Sequence, residues 1–446
     1  MIIFSWKILF KRKKYERNVL SMKNKVIQKN QKGVTLVALV ITIIVIIILS
    51  TVTIDLAFGN NGLIKRAQLA KDMAANSTTA EQEEMNRVME EFTNIMEEDN
   101  EITVPDEPGG DTSKVTPVES ADGVTVPVPI GYTASEATGE NSVNDGFVIY
   151  EGTEVVNDGN VTTAKTTRNQ FVWIPVDDIS QIANQTSGTD ENGRQNYQGK
   201  LYDFSTTGAT EMSNYGQGTT TYREPDVVPT DDGNAYLTIL GLSSSSEFKT
   251  QLQEEFNEMI ESVDTYGGFY IGRYETGNLV ASPNSKPVVV KGNNSISSVN
   301  WYYMYQNSKL IGANSNVVST MIWGSMWDRA LIWLTETGDK TYSDLMNSSS
   351  WGNYSNSTGA AATNSGSKQL TGTNDAWQAN NIYDLAGNVY DWTIEAGNTS
   401  ARVCRGGYYN FIGSGCPASI RGIGSPSQTG SSYGSRSALF VALNSD

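Results

Sequence analysis

Hydrophobic residues follow two different patterns along the chain. Residues 34–54, VTLVALVITIIVIIILSTVTI, are 21 positions without a charge. As a helix they would measure roughly 31 Å, about the thickness of the hydrocarbon core of a bilayer. From there to about residue 97, apolar side chains recur near helical spacing among many Glu residues. The pattern predicts a single membrane-spanning helix that continues as an amphipathic stalk over 34–97, with a solvated charged stalk as the alternative.

A different pattern begins after the stalk. Residues 98–117 combine acidic side chains with Pro and Gly and predict a linker. Helical spacing of apolar residues recurs at 247–262 and at 317–334. Between turn residues, short β-branched and aromatic runs predict strands at 124–128, 146–150, 171–176, 236–240, 269–274 and 438–443. We therefore expect 118–446 to form an α+β domain with few helices and long loops.

Two polar tracts interrupt this domain, at 181–232 and 343–374. Both are rich in Ser, Thr, Asn and Gly. Stretches of this length without secondary structure are uncommon inside a compact domain, and they usually carry function or are mobile. We expect both tracts to be irregular loops.

Charge is distributed as unevenly as hydrophobicity. Residues 1–33 contain ten Lys or Arg and a single acid, whereas the chain as a whole has a formal net charge of −17. Because basic flanks stay on the cytoplasmic side, we expect 1–33 to be a cytoplasmic leader and everything after residue 54 to be extracytoplasmic, at the cell surface. The acidic bulk argues against nucleic acid as a partner, since phosphate binding needs clustered Lys and Arg.

Composition also limits the chemistry. The chain contains no His, which removes the commonest general base and the commonest transition-metal ligand. It has two cysteines, Cys404 and Cys416, which exclude a disulfide framework and any C-x-x-C motif. Whether these two thiols form one bridge is left open.

The start of the membrane segment resembles the leader of type IV prepilins. Lys32 and Gly33 are followed directly by VTLVAL. The resemblance implies cleavage after Gly33 by a prepilin peptidase, methylation of Val34 and contacts with other pilin-like subunits. Because Ala38 stands where most pilins have Glu, a pseudopilin-like or solitary anchor stays open, as does a signal anchor that is never cut. Met22 is an alternative start codon to Met1.

Five motifs carry a second resemblance: NQFVWIP at 169–175, GGFYIGRYE at 267–275, IYDLAGNVYDWT at 382–393, RGG at 405–407 and GSR at 434–436. They resemble the formylglycine-generating-enzyme and sulfatase-modifying family, which implies a C-type-lectin-like fold over 118–446. Its oxidases resemble one another in a C-x-x-x-x-C pair, but Cys416 has Phe411 five residues before it and Arg421 five residues after it. The resemblance thus implies no enzymatic activity, with an oxidase acting on exported proteins as the alternative.

The last forty residues are similar to another branch of that fold, the variable proteins of diversity-generating retroelements. Framework motifs there alternate with residue types that adenine substitution produces. The resemblance implies a variable region at about 402–443 that binds ligand through Cys404, Tyr408, Asn410, Phe411, Ile412, Gly415, Cys416, Ile420, Gly422, Ile423, Gly424, Ser432 and Tyr433. Scaffold roles are implied for Asn388, Trp392, Arg405, Arg421 and Arg436.

Composition of the same segment points independently to binding. Of the 34 residues 404–437, 19 are Tyr, Ser or Gly, and the only charges are three Arg. Antibody binding loops are composed in this way. Exposed Phe411, Ile412, Ile420 and Ile423 would be an unusual apolar cluster without a ligand. The alternative is an irregular surface loop in which Phe411 or Ile420 belongs to the core.

The sequence as a whole predicts a membrane-anchored, pilin-like surface protein of the adhesin or receptor kind. Its head is expected to bind a protein or glycan on another cell or phage, without a cofactor or catalytic metal. Glu275 is expected to pair with a framework Arg, and a structural calcium ion at this carboxylate is the alternative. A structural pilus subunit with no ligand of its own is a further alternative.

Overall fold

A computed structural model describes residues 114–212, 223–225, 235–278, 281–282, 285–295, 299–312, 314–398 and 400–443. Residues Pro105–Asp446 form one compact unit. The expected leader, membrane segment and stalk, together with Gly33 and Val34, lie outside the described residues. Within the ranges given above, no helix is long and apolar enough to cross a membrane.

The described residues form strands β1–β18 and helices α1–α6. The strands are β1 (Val115–Glu119), β2 (Thr125–Pro129), β3 (Tyr132–Ala134), β4 (Val148–Glu151), β5 (Gln170–Pro175), β6 (Ala183–Thr189), β7 (Gln195–Gly199), β8 (Tyr202–Ser205), β9 (Gly208–Glu211), β10 (Gly268–Gly272), β11 (Val317–Met321), β12 (Gln378–Ala379), β13 (Ile382–Tyr383), β14 (Tyr390–Asn398), β15 (Ala401–Arg405), β16 (Gly422–Gly424), β17 (Tyr433–Ser435) and β18 (Ser437–Val441). The helices are α1 (Val161–Thr167), α2 (Ala235–Leu240), α3 (Ser245–Tyr266), α4 (Trp301–Ser308), α5 (Gly324–Glu336) and α6 (Tyr342–Met346).

A six-stranded antiparallel sheet, in the order β11-β18-β10-β5-β4-β3, organises the core. Its middle strands are continuous runs of apolar residues because apolar clusters cover both faces of the sheet. In β5, Val172 and Ile174 belong to the cluster shared with the helices, whereas Phe171 and Trp173 belong to a second cluster that includes Val126 of β2. Successive side chains of a strand point to opposite faces, so one strand contributes to both clusters.

Helix α3 shows why a sequence pattern can be sufficient for a long helix. Phe248, Leu252 and Phe256 recur four residues apart and are fully buried. The side chain of Ser244 accepts the N–H of Glu247, which caps the first turn, and Gly267 ends the helix in the left-handed region at φ 77°. The predicted helix at 247–262 is confirmed.

Two element predictions were wrong. The run 236–240, predicted as a strand, is helix α2, in which Tyr236 stacks on Tyr302 of α4 with ring centroids 5.1 Å apart. The segment 317–334, predicted as one helix, is strand β11 followed by α5. Short apolar runs do not distinguish strand from helix, and pairing of β11 with β18 along its whole length decides the first half.

The polar tracts are more ordered than predicted. In the first, the described residues include the hairpins β6–β7 and β8–β9. The second begins with α6 and continues through two 3₁₀ turns. Strand β1 also begins at Val115, inside the stretch predicted as linker. The overall expectation of an α+β fold with few helices holds, because antiparallel sheets dominate the described residues.

A four-stranded sheet, in the order β16-β15-β14-β17, carries the C-terminal motifs. Strand β14 pairs antiparallel with β15 and parallel with β17. The Ile394 N–H donates to the Ile322 carbonyl at 3.1 Å, just before α5 begins, and this bond ties the small sheet to the core. The small sheet therefore presents its β16 and β17 edges and the loop after β15 on a rigid base.

Candidate functional site

Three aromatic rings stack across the small sheet. Tyr390 of β14 lies opposite Tyr433 of β17, and Trp392 follows Tyr390 at the spacing that returns a strand to the same face. The Tyr390 and Tyr433 ring centroids are 5.8 Å apart with planes inclined by 22°. The Tyr433 and Trp392 centroids are 5.0 Å apart with planes inclined by 14°. Tyr433 is therefore in stacking contact with both Tyr390 and Trp392.

Two further rings extend this stack towards solvent. The Tyr408 centroid lies 5.1 Å from that of Tyr390, and Phe411 lies 5.1 Å beyond Tyr408. We call these five residues the aromatic row; in order they are Trp392, Tyr433, Tyr390, Tyr408 and Phe411. The Trp392 side chain is fully buried, whereas Phe411 is 45% exposed. The row thus passes from the core to the surface, and its outer members are available for contact.

The loop after β15 begins with a turn that only glycine satisfies. Gly406 and Gly407 have φ of 83° and 76°, in the left-handed region. A Cβ atom on Gly407 would lie 2.0 Å from the carbonyl oxygen of Cys416. The RGG motif therefore folds the chain back on itself and places Tyr408 beside Tyr390.

The backbone of this loop is held by the second polar tract. The Phe411 carbonyl accepts from the N–H and the hydroxyl of Ser355, each at 2.9 Å. The Gly413 N–H donates to Asn356 Oδ1 at 2.8 Å, and the Gly413 carbonyl accepts from the Ser348 N–H at 3.0 Å. The Ser348 hydroxyl also accepts the Ala418 N–H at 3.0 Å. None of these bonds uses a loop side chain, so they place no demand on side-chain identity in the loop.

The thirteen predicted contact residues divide by exposure. Exposed to solvent are Asn410, Phe411, Ile412, Gly415 and Ile423. Half-buried are Tyr408, Ile420, Gly422, Gly424, Ser432 and Tyr433. Buried are Cys404 and Cys416. Eleven of the thirteen therefore reach the surface, and we call these eleven residues together the display face.

The two cysteines lie beneath the display face rather than on it. Their side chains are free thiols with 2% and 6% exposure. Burial raises the pKa of both thiols, and the Cys416 Sγ lies 3.1 Å from the Tyr390 hydroxyl. Buried, protonated thiols are poor nucleophiles.

Two glycines of β16 are more constrained than the sequence suggested. A Cβ atom on Gly422 would lie 2.8 Å from the Cys404 Sγ, and one on Gly424 would lie 2.9 Å from the Trp392 ring. These glycines let β16 approach the aromatic row closely. Ile423, between them, is 47% exposed, but its side chain lies on the opposite face of β16 from the aromatic row, beside Gly397 and Val403.

Arg405 and Arg421, predicted as scaffold, bind buried carboxylates. The Arg405 guanidinium lies 2.5 Å from Asp328 of α5, and both side chains are fully buried. Arg421 bridges Asp328 and Glu395, with its Nε 2.8 Å from the latter. These two cations therefore join α5 to the small sheet.

Arg436 joins the small sheet to the six-stranded sheet. Its guanidinium lies 3.0 Å from Asp391 and donates to the carbonyls of Gly272 and Tyr383, each at 2.9 Å. All three Arg of segment 404–437 are thus neutralised internally, and the display face has no charged side chain of its own.

Asn388 is the centre of a buried amide network. Its φ is 58°, and its Nδ2 donates to Glu275 Oε2 at 2.6 Å while the Val389 N–H donates to Oε1 at 3.1 Å. Its Oδ1 accepts from Asn353 and from the Gln369 N–H at 3.1 and 3.0 Å. Glu275 therefore has amide partners instead of the direct Arg pair expected for it.

Metal binding receives no support from side-chain clustering. Among the described residues, no group of three or more His, Cys, Asp or Glu is arranged to hold a metal ion. The alternative of a structural calcium ion near Glu275 stays a prediction.

Sequence reasoning missed several residues of the site. Tyr390 stands in a motif assigned to the scaffold, yet its ring is the link between Tyr433 and Tyr408. The run Val389-Tyr390-Asp391-Trp392 contained a signal, because alternate residues of a strand share a face. Ser348, Ser355 and Asn356 were part of an undifferentiated polar tract, and nothing in their spacing indicated that they anchor another loop.

Comparison with solved structures finds, among others, two that are similar to part of the chain. The structure of PvdO from Pseudomonas aeruginosa is 15% identical, with 39% of this chain and 81% of that chain covered and a TM-score of 0.26. Treponema denticola variable protein 1 is 15% identical, with 60% and 95% covered and a TM-score of 0.22. No family model matches the chain, and no curated protein matches it. At these TM-scores neither likeness carries a conclusion about this protein.

Proposed function

We propose that the described domain is a ligand-recognition head with a C-type-lectin-like fold, and that the display face is its binding surface. One observation carries the proposal. The aromatic row reaches solvent at Tyr408 and Phe411, on a loop whose backbone is held by bonds that do not involve its exposed side chains. A surface built in this way can change its side chains while the fold remains intact, as a variable protein requires.

The proposed ligand is a protein or glycan on the surface of another cell or of a phage. The display face offers Tyr, Phe and Ile without a charge of its own, because Arg405, Arg421 and Arg436 are neutralised inside. Aromatic side chains give large contact areas at a low entropy cost. Salt screens ionic contacts but not apolar ones, so raising NaCl from about 0.1 M to about 0.5 M should weaken binding less than about threefold.

The N-terminal part completes the proposal from sequence alone. Residues 34–54 would anchor the chain in the membrane, with the basic leader in the cytoplasm and the head at the cell surface. Processing after Gly33 by a prepilin peptidase, and contacts with other pilin-like subunits, belong to the same proposal. The burial and raised pKa of Cys404 and Cys416 favour a binding role over thiol oxidase chemistry.

Binding is tested with the full chain displayed on cells. The probes are a glycan array and panels of intact cells and phage particles. We expect Tyr408→Ala and Phe411→Ala each to reduce retention of a recognised probe at least about tenfold, since central aromatic contacts dominate interfaces. Val155→Ala is the matched control, because Val155 is also an exposed apolar residue (47%) but lies outside the variable region. Equal losses in all three variants would contradict the proposal.

Diversification is tested in the DNA. A near-repeat of the codons for residues 402–443, differing mainly at adenines, is expected beside the gene together with a reverse transcriptase. Sibling isolates should differ mostly at the exposed and half-buried positions of the display face. An isolated gene whose siblings vary elsewhere would remove the diversification claim and leave the binding claim to the previous experiment.

A further inference from the structure

A short strap lies along the free edge of β14. It consists of residues 223–225. The Arg223 N–H donates to the Ala396 carbonyl at 3.0 Å, and the Ala396 N–H donates to the Arg223 carbonyl at 2.9 Å. At Ala396, strand β15 pairs with the other edge of β14. The strap therefore lies on the same edge of β14 as β17, which pairs with the first residues of that strand. It is therefore attached to the same strand that carries Tyr390 and Trp392.

The buried side chain of Glu224 attaches the strap to the first turn of α5. It is 1% exposed, and its two carboxyl oxygens accept the N–H groups of Gly324 and Ser325, each at 2.8 Å. These are the first residues of α5, whose N–H groups have no partner within the helix and form its positive end. The Glu224 carbonyl also accepts the Gly199 N–H at 3.1 Å.

A second buried carboxyl group, that of Glu395, lies near the same end of α5. A Cβ atom on Gly324 would lie 2.2 Å from Glu395 Oε2, so this oxygen lies beside the residue that donates to Glu224. Among the described residues, Glu395 Oε2 has no hydrogen-bond partner; Arg405 Nη1 lies 3.8 Å from it, and Arg421 binds the other oxygen, Oε1, at 2.8 Å. Two buried carboxyl groups thus lie beside the same residue, Gly324, where one shared proton would relieve their repulsion.

The other charged groups around this pair are fixed. Arg402 of β15 faces Glu224, and its guanidinium is also held over the Trp301 ring at 4.6 Å. Asp328, Arg405 and Arg421 face Glu395 and are bound to one another. The described contacts of the strap include the two Arg223–Ala396 bonds and the two Glu224 carboxyl bonds, so a change of charge at Glu224 acts directly on its attachment.

We propose that the strap is a proton-operated latch: it is docked along β14 while the Glu224 and Glu395 carboxyl pair holds a proton, and it loosens when that proton is lost. This proposal goes beyond the proposed ligand-binding role and does not depend on it. The proton-dependent step changes no covalent bond other than the O–H of one carboxyl group, and the proton passes to solvent.

The direction of the pH effect follows from the carboxyl environment. Burial, reinforced by the charge of Glu395, raises the pKa of Glu224 to about 7 from its ordinary 4.5. In the released strap the carboxyl would return to its ordinary pKa. Docking is therefore strongest below the ordinary pKa, weakens as pH rises towards 7, and levels off above it.

The test is hydrogen exchange on the full chain between about pH 4.5 and about pH 8.5, expressed as protection factors. For Arg223 and Ala396 we expect protection to fall on the order of a hundredfold by about pH 7. The Ile394 N–H, bonded to Ile322 on the same strand, is the internal reference and should not change. Protection at Arg223 and Ala396 that is independent of pH would overturn the proposal.

Two variants separate the latch from general unfolding. Glu224→Gln should remove the pH dependence, whereas the control Glu336→Gln, at the opposite end of α5 and paired with Arg329, should keep it. In Gly199→Ala the new Cβ would lie 2.3 Å from the Glu224 Cγ, so the strap should be released at every pH while the circular dichroism of the fold is unchanged. If Gly199→Ala or Glu224→Gln kept the wild-type profile, the proposal would be wrong.

Discussion

Gly407 and Gly415 lie in the same loop under opposite constraints. Gly407 has φ 76°, and a Cβ there would meet backbone at 2.0 Å. A Cβ on Gly415 would meet Ile412 alone, its side chain at 3.1 Å and its carbonyl oxygen at 3.6 Å, and Gly415 has no left-handed φ. We expect Gly407→Ala to lower the free energy of unfolding by about 2 kcal/mol or more, and Gly415→Ala to change it by less than about 0.5 kcal/mol.

Urea unfolding of the two variants measures this difference. Equal effects would mean that the loop either adapts its backbone around Gly407 or is rigid throughout. Either result would contradict a display loop with a fixed base and a permissive tip.

At the same scale, the sequence indicated some roles and concealed others. Motif resemblance pointed to Arg405, Arg421 and Arg436 as internal supports, and the structure places all three against buried acids. Resemblance also put Cys404 and Cys416 among contact residues, but both are buried, because side-chain type alone does not say which face of a strand or turn it occupies.

At the scale of elements, the loop depends on the polar tract that precedes it. The Ser348 side chain is fully buried, and its hydroxyl donates to the Asp344 carbonyl at 3.0 Å while it accepts the Ala418 N–H. We expect Ser348→Ala to lower the free energy of unfolding by about 1–3 kcal/mol, because it leaves a buried N–H unpaired. Amide exchange at Ala418 should also accelerate, since its N–H loses its acceptor.

Ser365→Ala is the matched control for Ser348→Ala. Ser365 is half-buried, and its hydroxyl donates within its own turn to the Ala362 carbonyl. Its loss should change stability by less than about 0.5 kcal/mol. A similar, small effect of both substitutions would show that the tract does not support the display loop.

Element prediction succeeded where local pattern and tertiary packing agree. Helix α3 has a cap, a regular apolar stripe and a terminal glycine, so its sequence alone was enough to predict the helix. Helix α2 was missed because its apolar run is too short for periodicity to show, and packing against α4 decides its form. The interruption between β11 and α5 was missed because apolar spacing continues across it.

At the scale of the whole molecule, buried acids govern the dependence of stability on pH. Burial raises the pKa of Glu224 to about 7, and burial likewise raises the pKa of Asp384 and Asp391. Because a raised folded-state pKa favours the native state at lower pH, this stability is lost as pH rises through about 6 to 7. The pKa of Glu140, which burial alone would raise, is lowered by Arg273 and Lys165, so its contribution is lost in acid instead.

We therefore expect the Tm to be highest near pH 5 and to fall by roughly 5 °C by pH 8. Glu224→Gln should flatten part of this slope because it removes one of the raised groups. Thermal unfolding followed by circular dichroism across this range measures both effects. A Tm that rises steadily from pH 5 to pH 8 would contradict the assignment of these buried carboxyl groups.

One property of the display face is central to the proposed function: its side chains can vary because stability comes from elsewhere. A library of the full chain randomised at the exposed residues Asn410, Phe411, Ile412, Gly415 and Ile423 tests this directly, against a second library randomised at five buried residues of the small sheet. Folding is scored by protease resistance and binding by selection on unrelated target proteins. We expect most members of the first library to fold and to yield binders, and few members of the second to fold; equal loss of folding in both libraries would contradict the account.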